Sequence, residues 1–67
     1  MNPTRWGATQ VIAPADVARV GAALYEGEHE AHAHDQGVEE LTHTWTTDGA
    51  RLRLTSVGTL PAPGGDR

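Results

Sequence analysis

Three of the four histidines and five of the nine acidic residues of this 67-residue chain lie between positions 28 and 40. His32 and His34 are one residue apart, and Glu39 and Glu40 follow. If 28–34 is extended, side chains at i and i+2 share a face. His32 and His34 then point the same way, with Glu28 and Glu30 behind them, and His29 and Asp35 lie opposite. Asp35-Gln36-Gly37 reads as a turn, with Gly supplying the dihedrals it needs. The returning strand would set a glutamate against the two imidazoles. Such a set suits a divalent transition metal (Fe, Mn, Ni, Zn or Cu), with open positions for a small ligand or a water. The bland reading is a solvated strand edge, and it is the stronger one for Glu28, His29 and Glu30.

Something must hold those strands, and the composition is lean. Leu, Val and Ile together number eleven of 67 residues, and Phe is absent. That is thin for a globular core, and a chain of this length is one domain at most. The formal charge of −4 does not force disorder. A bound metal, strand exchange or oligomerisation is therefore expected to supplement the core. A homodimer is the expected state, since edge strands and apolar side chains such as Trp45 and Leu60 need covering.

Other classes are disfavoured. Without cysteine there is no disulfide framework and no thiolate zinc site. Five arginines, no lysine and an acidic balance give no basic patch for nucleic acid. No run approaches membrane-spanning length and the N-terminus has no apolar signal core, so the expected location is cytoplasmic.

Along the chain, residues 1–13 read as a polar lead anchored by Trp6 and a short edge strand at 10–13, stopped by Pro14. Trp6 is expected to pack against the sheet. Residues 14–24 carry two patterns. Val17, Val20, Gly21 and Leu24 fit a helix opened by Pro14, whereas Val20, Ala22 and Leu24 fit one face of a strand. Residues 39–47 are strand-like, with Leu41, Trp45 and four threonines among them. Asp48-Gly49 is a hairpin signal, and Arg51-Leu52-Arg53-Leu54 alternates polar with apolar. Val57 to Leu60 is a further short strand, and 61–67 is turn and loop chemistry. Short antiparallel strands joined by glycine turns predict an all-β barrel or sandwich, although too few strands are present to close a barrel.

The order Gly27, His32-x-His34, four residues, Glu39-Glu40-Leu41-Thr42-His43, Gly49, Arg51-Leu52-Arg53-Leu54 and Gly65-Asp66 resembles the first motif of the cupin superfamily. It is closest in kind to the small cupin domains found alone, or behind helix-turn-helix domains, in bacteria. The resemblance covers roughly 20–67 and favours a strand over a helix at 14–24. It implies a partial double-stranded β-helix over 14–67, completed by dimerisation, with His32 and His34 as metal ligands. Glu39 has the motif spacing and Glu40 the motif context, and Glu40 is the closer family match. His43 is a substitute ligand. If Glu39 faces inward, so do Leu41, His43 and Trp45; if Glu40 does, the threonines at 42, 44 and 46 line the pocket. The sequence departs from the pattern in the spacing before His32 and between Glu40 and Gly49. The second motif would begin at Gly65, so a half cupin is expected.

Three functions follow. The first is a cupin-like module that holds a metal and senses a small ligand. The second is a metal-dependent cupin enzyme, of dioxygenase or isomerase type, completed by a second subunit. The third is a non-catalytic structural or interaction piece whose histidines are vestigial.

Overall fold

A computed structural model describes residues 4–61. The chain runs β1 (Thr4–Ile12), α1 (Pro14–Val20), α2 (Ala22–Asp35), β2 (Glu39–Asp48), β3 (Arg51–Leu60). Strands take up half of the described residues, and all lie in one open antiparallel sheet of order β1-β3-β2. The fold is mostly β, with both helices inserted between the first and second strands. None of the described helices is long and apolar enough to cross a membrane. The expected tail at 61–67, with the Gly65-Asp66 pair, lies beyond the described residues after Pro61.

Local chemistry explains the boundaries. Pro14 opens α1 at a position where its missing N–H costs nothing, and Asp16 in the first turn binds Arg19 at 3.0 Å. Gly21, at φ 95°, bends the chain between the helices. Helical spacing therefore holds at 14–24, and strand spacing does not.

The segment 28–34, expected as a strand, is the second half of α2. Its alanines and glutamates are good helix formers, and no β-branched residue interrupts 22–35. The Asp35-Gln36-Gly37 turn is the end of that helix. Gly37 adopts φ 78°, its N–H donates to the His34 carbonyl, and the Val38 N–H donates to that of Ala33.

The strands extend further than their sequence signals. β1 takes in the lead from Thr4 onward and pairs with β3 from Thr4–Leu60 to Ile12–Leu52. The short strand at 57–60 is the end of β3, not a separate element. Asp48 pairs with Arg51 around Gly49-Ala50, with Gly49 at φ 64°.

Alternation gives each face of the sheet its character. Trp6, Gln10, Ile12, Leu41, His43, Trp45, Leu54 and Ser56 share the helix side, and threonines dominate the other. The inward-facing set of β2 is thus the apolar one, and Thr42, Thr44 and Thr46 point away. The buried apolar core is small: Trp6, Ile12, Ala33 and Leu54. Gly58 sits where a Cβ would lie 2.3 Å from Val38 Cγ1 and 3.0 Å from the Glu39 carbonyl, so the chain entering β2 can cross only over a glycine.

Candidate functional site

The centre of the helix–sheet layer is polar. Ser56 is fully buried in the central strand at a position of inward parity, where its neighbours Leu52 and Leu54 are apolar. His29, on the buried side of α2 with Ala33 one turn later, brings Nδ1 to 2.7 Å from Ser56 Oγ. His43, paired with Ser56 across the β2–β3 ladder, brings its own Nδ1 to the same oxygen at 2.7 Å. The outer ends are closed as well. His29 Nε2 lies 3.0 Å from Gln10 Oε1 on β1, and His43 Nε2 lies 3.0 Å from Glu30 Oε2 on α2. One chain, Gln10–His29–Ser56–His43–Glu30, therefore ties α2 to all three strands.

Counting protons fixes its logic. Ser56 can donate to one imidazole and accept from the other. With the Gln10 carbonyl oxygen towards His29, His29 Nε2–H donates to it and Ser56 donates to His29 Nδ1. His43 Nδ1–H then donates to Ser56, and Glu30 is satisfied when His43 Nε2 also carries a proton. Turning the Gln10 amide end for end reverses the three bonds between Gln10 and His43, leaves His43 Nε2–H donating to Glu30, and satisfies the chain with both imidazoles neutral. Either arrangement leaves no buried side-chain donor or acceptor orphaned among the described residues.

Burial is the main cause of a His29 pKa below the ordinary histidine value of 6.5, aided by His43 and His32 and opposed by Glu28. A second polar tie runs alongside, where the Trp45 indole N–H donates to Glu26 at 2.6 Å.

This is not nucleophile geometry. Ser56 has no exposed surface, and it touches the Nδ1 atoms of two histidines rather than one base beside a cleft.

The residues expected at the site are dispersed. His32 and His34 stand on an α-helix, about 200° apart around its axis. His32 accepts from the Gln36 amide at 3.0 Å and lies 6.0 Å from the Trp6 ring. His34 is exposed on the last turn. Glu39 and Glu40 are exposed where β2 begins. Glu40 has φ 58° at a register shift and borders a shallow depression of about 350 Å³ with Arg5, Val57, Gly58 and Thr59. Of the expected ligands, His43 alone belongs to the central chain. Among the described residues no three His, Asp or Glu are grouped to hold a metal ion.

The residues that sequence reasoning passed over are His29, Ser56, Gln10 and Glu30. One signal was available for Ser56, a lone polar residue on the buried parity of an alternating strand. Another was the helical spacing of Tyr25, His29 and Ala33. No family model, curated protein or solved structure matches the chain.

Proposed function

We propose that this chain is a non-catalytic interaction module in which histidines fasten a helix to a sheet. The observation that carries the reading is that both ring nitrogens of His29 and His43 have a partner inside the domain. Imidazoles so engaged supply position, and the small apolar core gives them a reason to be there: the chain specifies where α2 docks. The open sheet supports an assembling role, because among the described residues its two outer strands each have a free edge.

The metal-holding reading, with its cupin-like completion by a second copy and a metal-dependent enzyme as its extension, has one observation in its favour. Glu30 and His43 meet at 3.0 Å near the surface, with His29 reached through Ser56. An ion there would have to displace those bonds. Thermal unfolding of chelator-stripped protein, repeated with Zn, Ni, Mn and Fe(II), separates the two. The interaction reading expects no shift with any metal. Stabilisation by a metal that is lost in His43→Ala would replace it with the metal-holding one.

A further inference from the structure

We propose that two copies of this chain join along the outer edges of β2, antiparallel and centred on Thr44, into one continuous six-stranded sheet with both α2 helices on the same face. The inference rests on the interaction-module reading and gives it a surface and a partner, a second copy of the chain.

The edge comes first. β2 has β3 as its one sheet neighbour among the described residues, so its other side presents unpaired N–H and C=O groups. From 41 to 47 that edge has no charge, proline or glycine, and every residue apart from His43 is β-favouring or apolar. Edges are normally blunted by such residues. Here the charges and the register shift stand at the ends, at Glu39, Glu40 and Asp48, and leave the middle bare. β1, the other edge, carries Arg5 and Gly7 in its run and stops before Pro14. An antiparallel pair of identical strands closes on itself about a two-fold axis perpendicular to the sheet. Centred on Thr44, it sets Thr42 beside the partner's Thr46, and at each end Glu40 beside the partner's Asp48, a carboxylate already paired with Arg53 at 2.7 Å. On the helix side it sets His43 beside the partner's Trp45, an aromatic cross-strand pair.

The helices then fit. The backbone of α2 lies against β2 and β3 alike, and the His29 side chain extends to Gln10 on β1, which places the helix above the junction of β2 and β3. With strands about 4.8 Å apart, the two α2 axes would be about 10 Å from each other across the two-fold axis. That is the ordinary distance for packed helices, about 8–10 Å. Beyond Glu26 and Glu30, which reach β2, the next flank of α2 carries Ala23, Gly27 and Ala31, one turn apart. Because Glu26 sits at Trp45 and Glu30 at His43, Gly27 falls near the level of Thr44. It would face the partner's Gly27, with Ala23 facing the partner's Ala31. Among the described residues of one copy, Gly27 has no packing reason: a Cβ there would meet nothing within 4 Å, and glycine weakens a helix interior. A helix passing close by supplies the reason.

Sedimentation of the full chain from micromolar to millimolar concentration tests this. The expected result is a dimer, with dissociation raised about tenfold or more by Thr44→Lys, which sets like charges opposite one another across the axis. Gly27→Leu, which crowds the helix contact, should act in the same direction, and Thr9→Lys on β1 should have no effect. Far-ultraviolet circular dichroism of each variant reports folding, and if Gly27→Leu fails to fold, Thr44→Lys decides alone. A monomer at every concentration would overturn the inference, as would a dimer weakened by Thr9→Lys and indifferent to Thr44→Lys. Neither result touches the interaction reading at the histidines, which stands or falls on the metal melts.

Discussion

The helix–sheet layer is built differently at its ends and at its middle. Trp6 and Ile12 towards the ends, with Leu54 bordering the middle, are buried apolar side chains that tolerate any partner of the right volume. In the middle, Ser56, His29 and His43 accept only partners at hydrogen-bonding distance and in the right proton state. The apolar ends supply most of the stabilisation, at roughly 25 cal/mol per Å² of surface removed from water. Each polar contact adds a net 0.5–1.5 kcal/mol at about the best, but a contact left unmade costs more than it gained. Burial thus holds the layer together, while the polar chain decides how α2 is placed on it.

The contrast can be tested from the largest effect downward. Leu54→Ala, which empties a fully buried site in the central strand, should cost about 2–5 kcal/mol. In a domain this small that is enough to unfold much of the population, seen as loss of a cooperative melt. Gly58→Ala should cost about 1–3 kcal/mol through the clash with Val38, read from denaturant midpoints.

Ser56→Ala should also cost about 1–3 kcal/mol, because it strands the Nδ1 atoms of both imidazoles. The combined variant Ser56→Ala, His29→Leu, His43→Leu should be more stable than Ser56→Ala alone if the chain sets position more than stability. If it is less stable, the polar middle contributes as much as the apolar ends, and the contrast disappears.

Acid gives a smaller effect. His29 is harder to protonate folded than unfolded, so below pH 6.5 the unfolded chain binds more protons. Its neutral form carries no penalty above that pH, and stability should fall as pH drops through 6.5 and below. His29→Leu should flatten that part of the stability–pH curve. Smallest of all, Glu26→Gln should cost less than about 1 kcal/mol, since a neutral acceptor still takes the Trp45 N–H.

Much of the strand framework was legible without coordinates. The alternation in Arg51-Leu52-Arg53-Leu54, the β-favouring run to Thr47 and the stop at Pro14 correspond to β3, β2 and the end of β1. The hairpin was also legible, although its two turn residues are Gly49 and Ala50, with Asp48 still paired to Arg51. Less legible was α2. Its histidines, glutamates and alanines carry no apolar stripe, and spacing of two residues between His32 and His34 has a meaning in a strand that it lacks in a helix. The period read there was that of a strand, and the segment is a helix, so His32 and His34 do not share a face.

The sequence alone settled what is local: where proline and glycine break the chain, which side of each strand is apolar, and that the core would be small. Those features depend on a residue and its near neighbours. Only the tertiary structure decided which histidines turn inward. His29 and His32 are three residues apart on one helix, yet one meets Ser56 and the other meets Gln36 and Trp6. That choice depends on how α2 lies across strands up to 27 residues distant in the chain, and no local pattern encodes the angle of a helix on a sheet.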